Sequence, residues 1–156
     1  MDEQRPYRLK LSFPGNLEYV SPIRKFISEV LVVNNYSQKF AYRSEVIVDE
    51  VCSNAINYGC KSVESRVDFL CLIYPDRMEI QVKDQGGNKT DVERLKLAVD
   101  SDEEKTRAPN EPQNPCKGCL GLEIVRMLSN EVNLNVDENN VTTLRVVRKR
   151  KAGEAS

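Results

Sequence analysis

R-S-E-V-I-V-D-E-V-C-S-N-A-I-N-Y-G, Arg43 to Gly59, is the stretch whose reading decides the fold. No proline interrupts it, and Gly59 supplies a stop, because glycine tolerates the left-handed conformation that ends many helices. At about 100° per residue the side chains sort into two faces. Ile47, Val48, Val51, Cys52, Ala55, Ile56 and Tyr58 share an apolar arc that a core would cover. Glu50, Ser53, Asn54 and Asn57 share the other face, with Arg43 one turn back. A solvated helix face is ordinarily long-chained and ionic. This one carries one carboxylate, two amides and a hydroxyl, although asparagine is a poor interior helix former. Two readings follow. One is a short polar face. The other is a wall looking into a pocket, where an amide oxygen suits Mg²⁺ and a glutamate one turn earlier accepts a proton. The helix alone leaves both open.

Working outward, Ser37 opens this helix and Asn34-Asn35 precedes it as a break. Before the break, Asn16 is placed to cap a helix running to about Val33. Its expected buried stripe is Leu17, Val20, Ile23, Phe26, Ile27, Val30 and Leu31. Earlier still, Leu9, Leu11 and Phe13 alternate within a strand from Tyr7 to Phe13, which Pro14-Gly15 ends. On the other side, Val67, Phe69, Cys71 and Ile73 alternate, Pro75-Asp76 turns, and Met78, Ile80 and Val82 alternate: a hairpin. K-G-C-L-G-L-E-I-V-R-M-L-S-N, Lys117 to Asn130, reads as a glycine-rich turn feeding a helix that buries Leu122, Ile124, Val125 and Leu128. Strands from Val132 to Val136 and Val141 to Val147 close the chain. The order predicts an α/β two-layer sandwich: a mixed sheet with helices on one face.

Composition narrows the function. The 156 residues suit a single domain spanning 1–156, and with 40% hydrophobic residues they can form a real core. A net charge of −1 gives no electrostatic case for direct nucleic-acid binding. The one basic cluster, Arg148 to Lys151, reads as the start of a solvated tail over 148–156. No apolar run approaches the roughly 20 residues of a membrane span, and five cysteines do not resemble a disulfide framework. These features point to a cytoplasmic protein away from membranes. With no histidine, His-based triads, His-zinc sites and phospho-histidine chemistry on this chain are excluded.

Three local signals line up. The first is Glu50 with Asn54. The second is Asp84 at a strand end, followed by Gly86 and Gly87; such an aspartate accepts a hydrogen bond from an exocyclic amine, and the glycines let backbone approach a flat ring. The third is Gly118-x-x-Gly121 opening a helix, whose unpaired N–H groups and positive dipole end favour an anion. Each is weak singly. Together, each at an element edge, they describe a nucleotide site.

This set resembles the ATP-binding domains shared by gyrase, the Hsp90 chaperones, sensor histidine kinases and the MutL repair proteins. Within that family it is most similar to the bacterial anti-sigma factor serine kinases. The resemblance spans about Tyr7 to Val147 and rests on E-V-C-S-N-A-I-N-Y-G, D-Q-G-G, G-C-L-G-L-E-I-V and T-T-L-R-V. It implies a histidine-kinase-like ATPase fold that uses ATP and Mg²⁺. It implies that Glu50 is the general base, that Asn54 binds Mg²⁺ with Asn57 nearby, and that Asp84 reads the adenine amino group beside Gly86 and Gly87. Gly118, Leu120, Gly121 and Leu122 would face the phosphates, with Lys117 as the nearby cation, and Thr142 would sit at the base. Arg24, in E-Y-V-S-P-I-R, matches an arginine that contacts protein partners. The implied activity is phosphorylation of a serine on an antagonist protein by an anti-sigma factor that also binds a sigma factor, as a homodimer. The alternatives are a nucleotide-dependent sequestering module without turnover and, third, a stand-alone sensor-kinase-type ATPase domain.

The sequence departs from the family pattern at two places. Asn88 replaces a second glycine after Asp84, and Val141 stands where a glycine often precedes the threonine, which would shift the base end of the pocket. Between Asn88 and Lys117 lies a long segment with three prolines and a dense charge mix, expected to be a lid that is mobile until ATP orders it. Cys116 and Cys119 form C-K-G-C near its end; the functional readings are a redox switch and half of a zinc site, and the favoured reading is chance small residues near the phosphates. Cys52 and Cys71 fall on apolar faces and read as core.

Overall fold

The computed structural model describes residues 5–60, 62, 64–86 and 120–151. Chain order begins with β1 (Tyr7–Pro14), a short 3-10 turn (Leu17–Tyr19), α1 (Val20–Val33) and α2 (Gln38–Gly59). The hairpin β2 (Arg66–Ile73) and β3 (Arg77–Lys83) follows, and then α3 (Leu120–Leu128), β4 (Glu131–Val136) and β5 (Thr142–Lys149). The expected lid, with Cys116 and Cys119, lies outside the described residues.

The strands form one sheet in the order β1-β2-β3-β5-β4. The two-layer α/β architecture is the one expected, but the sheet is not mixed: every described pairing is antiparallel. The reason is topological. β3 and β4 run the same way, yet β5 turns back from β4 and lies between them, so the parallel strands never pair.

Alternation along the strands builds the core. Val67, Phe69, Cys71 and Ile73 of β2, Met78, Ile80 and Val82 of β3, and Leu144 and Val146 of β5 are buried. From the helices Ile27 and Leu31, Ile47, Val48, Val51 and Cys52, and Leu122 and Val125 join them in the same cluster. Each such side chain contributes about 1.5–3 kcal/mol by leaving water.

Caps explain where the helices begin. Ser37 accepts a hydrogen bond from the Phe40 amide at 3.0 Å and starts α2. Asn16 accepts from the Glu18 amide at 2.9 Å, but what it caps is the 3-10 turn, and α1 begins only at Val20. Pro22 then falls in the first turn of α1, where the missing N–H has no helical acceptor to lose. This shift takes Leu17 out of the predicted stripe: it is 51% exposed, because three residues per turn puts it out of phase with the α-helix. Phe26 is 44% exposed, at the edge of a narrower stripe of Val20, Ile23, Ile27 and Leu31. Ile124 is likewise exposed, while Leu122 and Val125 carry the buried face of α3.

The basic cluster is also different from expectation. Arg148 and Lys149 belong to β5, and Arg148 is buried. Its guanidinium donates to Phe40 O at 2.7 Å, Ser44 Oγ at 3.2 Å and Leu128 O at 3.0 Å, and lies 4.0 Å from the centre of the Phe40 ring. Arg150 stacks at 4.0 Å over Tyr36 and donates to Pro75 O at 3.1 Å. A run of charges in sequence does not reveal that α2 places carbonyls and rings over the end of β5.

Candidate functional site

α2 supplies the spine of the site. Asn54, one turn after Glu50, is only 4% exposed, and its side-chain nitrogen is buried without a partner among the described residues. The Asn54 side chain makes no hydrogen bond to a described residue. Glu50 is half-buried; desolvation, and next the charge of adjacent Asp49, push its carboxyl above the usual carboxylate range. α3 begins directly against it. A Cβ on Gly121 would overlap the Glu50 carboxylate, so this close approach of helix to side chain needs a glycine.

Nine residues further along α2, Gly59 ends the helix without the positive φ that the sequence suggested. Its role is space: a Cβ there would overlap the carboxylate of Asp84. Asp84 follows β3 and is 2% exposed. Its Oδ1 accepts from the Gly86 amide at 2.8 Å and the Thr142 amide at 3.2 Å, and its Oδ2 accepts from the Thr142 hydroxyl. Burial pushes its carboxyl up against the opposing pull of these three donors. Gly86 has φ +97°, the left-handed region, which lets the chain fold back to donate. Val141 in place of a glycine therefore does not move Thr142 away from Asp84.

The remaining predicted residues divide. Asn57 is exposed, three residues past Asn54 on the rim of α2. Leu122, in the first turn of α3, is fully buried with its side chain in the core. Leu120 is the first residue of α3. Gly87, Lys117 and Gly118 lie outside the described residues. Arg24 does not stand free on α1: it pairs with Glu45 at 3.6 Å and Asp49 at 3.4 Å of α2, and donates to Ser21 Oγ at 3.2 Å. Sequence reasoning missed Asp49 and the seating role of Gly59. The adjacent acids Asp49-Glu50 were a legible signal for the first; nothing in the sequence signals the second.

A Mg²⁺ ion fits the donor set. Among the described residues no group of three or more His, Cys, Asp or Glu could hold a metal alone. Mg²⁺ does not need one, since it keeps waters and takes substrate phosphates beside one or two protein oxygens. The Asn54 amide oxygen, with no hydrogen bond to a described residue, is such an oxygen.

The pattern of the histidine kinase-like ATPase domain matches residues 13–147. The chain belongs to this family. Within it, the serine-protein kinase RsbW of Bacillus licheniformis is 27% identical over 135 residues, covering 83% of this chain and 78% of the relative. RsbW of Bacillus cereus strain ATCC 10987 is 24% identical over 135 residues, covering 86% and 81%. These are the anti-sigma factor serine kinases that the motifs resembled. Among solved structures, the SiaB–SiaC complex from Pseudomonas aeruginosa matches with a TM-score of 0.68 at 15% identity, over 92% of this chain and 90% of that one. The RsbU and RsbW domains of Rv1364c from Mycobacterium tuberculosis match with a TM-score of 0.60 at 14% identity. This chain spans 96% of its own length there but only 35% of the longer protein. At these identities the structural matches speak for the fold alone. No helix among the described residues is long and apolar enough to cross a membrane.

Proposed function

We propose that this chain is a Mg·ATP-dependent protein serine kinase of the anti-sigma type. It would phosphorylate a serine on an antagonist protein and bind a sigma factor, working as a homodimer. The observation that carries this reading is the spacing of two seated carboxylates along α2. Asp84 rests against Gly59 and Glu50 is matched to Gly121, nine residues apart. At 1.5 Å per residue that is about 13.5 Å, a span comparable to the length of a nucleoside triphosphate. Adenine at Asp84 and Thr142 thus leaves the γ-phosphate near Glu50 and the first turn of α3.

Each residue then has a task. Asp84 Oδ2 accepts from the exocyclic amine of adenine. The amides opening α3 receive phosphate oxygens. Asn54 would hold Mg²⁺, which when bound neutralises phosphate charge. Glu50 accepts the serine hydroxyl proton as the serine oxygen bonds to the γ-phosphorus and the bond to the β–γ bridging oxygen breaks, releasing ADP. A base raised above the ordinary carboxylate range is better matched to that proton. The relatives named serine-protein kinase support the same chemistry.

The test uses the full chain with labelled ATP and candidate partner proteins from its host. Glu50→Ala is expected to keep ATP binding and to lose transfer by about 10²–10⁴-fold. Unchanged transfer would show the base is wrongly assigned. ATP binding by wild type with no transfer to any partner would select the sequestering module.

A further inference from the structure

D-E-N-N-V, Asp137 to Val141, joins β4 to β5. The Asp137 side chain is exposed, yet it organises this turn. Its Oδ1 accepts from the Asn139 amide at 2.8 Å and from the Val141 amide at 3.0 Å. The backbone closes the same loop: the Asp137 amide donates to Val141 O, and the Asn140 amide to Asp137 O, each at 3.0 Å. The two amides on Oδ1 flank Asn140, whose φ of +63° lies in the left-handed region. Glycine visits that region freely and asparagine is tolerated there, so the turn holds some strain at Asn140. One carboxylate oxygen bonded to both neighbours offsets it.

Two contacts carry the geometry of this turn to the candidate site. Val141 immediately precedes Thr142, which opens β5 opposite Val136. The Thr142 amide and hydroxyl donate to the Asp84 carboxylate, and Thr142 O accepts from the Asp84 amide at 3.1 Å. The turn also lies against the residues after Asp84: a Cβ placed on Gly86 would come 3.0 Å from Asn139 O. The Gly86 amide in turn donates to Asp84 Oδ1 at 2.8 Å. The three donors that hold the Asp84 carboxylate therefore follow this turn directly or pack against it.

The ordinary task of an aspartate here is to close a hairpin. That alone would have no consequence for a ligand. In this chain the first residue past the turn donates twice to a carboxylate that is 2% exposed. Hydrogen bonds weaken steeply with distance and angle, so a loosened turn changes where Asp84 Oδ2 points.

We propose that Asp137 is a positioning residue for nucleotide recognition. By closing the β4–β5 turn it fixes Thr142 and Gly86, and through them it aims the Asp84 carboxylate at the 6-amino group of the purine. Asp137 acts through these two residues and does not itself contact the nucleotide. The proposal rests on the reading that Asp84 takes adenine.

Isothermal titration of the full chain with Mg·ATP, and with the triphosphate of purine riboside, which lacks the 6-amino group, tests it. Wild type is expected to favour ATP. Asp137→Ala should weaken ATP about tenfold while the analogue changes by less than about twofold, so discrimination shrinks. Asp137→Asn keeps the acceptor oxygen and removes the charge, and is expected to stay within about threefold of wild type for both nucleotides. Asn140→Gly reaches the left-handed conformation without strain, and added to Asp137→Ala it should recover part of the loss. Melting curves report folding. Should Asp137→Ala fail to fold, Asp137→Glu, whose carboxylate reaches one methylene further, is expected to lose discrimination in the same direction. A folded Asp137→Ala variant with unchanged ATP affinity, an equal loss for both nucleotides, or an Asp137→Asn variant as weak as Asp137→Ala overturns the positioning role. Wild type that binds both nucleotides equally overturns the adenine reading, and the proposal with it.

Discussion

The two ends of the candidate site along α2 are built on opposite terms. At the base end, Asp84 receives two backbone amides and the Thr142 hydroxyl, and Gly59 closes over it. At the Glu50 end, Asn54 has a buried nitrogen with no partner among the described residues, and Glu50 sits half-buried beside a second carboxylate, Asp49. A buried polar group left unsatisfied costs about 1–3 kcal/mol, so the second end carries a cost at Asn54 that the three donors on Asp84 offset in part at the first. The contrast teaches where ligand energy is spent. The Asp84 end is organised by the protein itself, and under the proposed reading it takes the adenine ring. The other end is completed by what binds, which is the condition for groups that act during a reaction.

The largest expected effect comes from breaking the organised end. Asp84→Asn puts an amide donor among three donors and removes the acceptor for adenine. ATP affinity should fall by about 3 kcal/mol or more, roughly a hundredfold, in isothermal titration. Retained affinity would mean that Asp84 does not read the base.

A smaller effect sharpens the same end. Thr142→Val keeps the shape and the backbone amide but removes the hydroxyl that bonds Oδ2. A loss of about 1–2 kcal/mol in ATP affinity, near tenfold, is expected, with discrimination against nucleotides lacking the 6-amino group reduced in parallel. An equal loss for both nucleotide types would make Thr142 structural only.

The smallest effect probes the other end through pH. Glu50 must be ionised to take a proton, and the Asp49 charge contributes to holding its carboxyl up. Asp49→Asn lowers that carboxyl, so the base stays ionised to lower pH and the acid limb of turnover moves down. The rate at high pH should be unaffected, because Glu50 is ionised there in both proteins. An acid limb that stays in place in a rate–pH profile would separate Glu50 from that limb.

Local patterns made much of this legible. The helix from Ser37 to Gly59, the β2–β3 hairpin, the core positions Cys52 and Cys71 and the placing of Glu50 and Asn54 one turn apart on α2 all follow from periodicity, capping and turn residues, which act over a few neighbours. Leu17 failed because a 3-10 turn changes the phase, a difference of a fraction of a residue per turn that composition does not carry. The all-antiparallel sheet was hidden because strand order depends on where β5 inserts, a contact between residues about 60 positions apart in the chain.

By itself the sequence determined which residues are candidates for chemistry and which face of most elements is apolar, because those properties belong to side chains and their immediate spacing. Only the tertiary structure decided that Gly59 and Gly121 serve as seats for Asp84 and Glu50, that Thr142 meets Asp84, and that Arg148 is buried against Phe40 rather than solvated. Each of these is a meeting of distant segments. Close packing rewards such meetings when shapes and hydrogen-bonding groups match in three dimensions, and no window of neighbouring residues records that match.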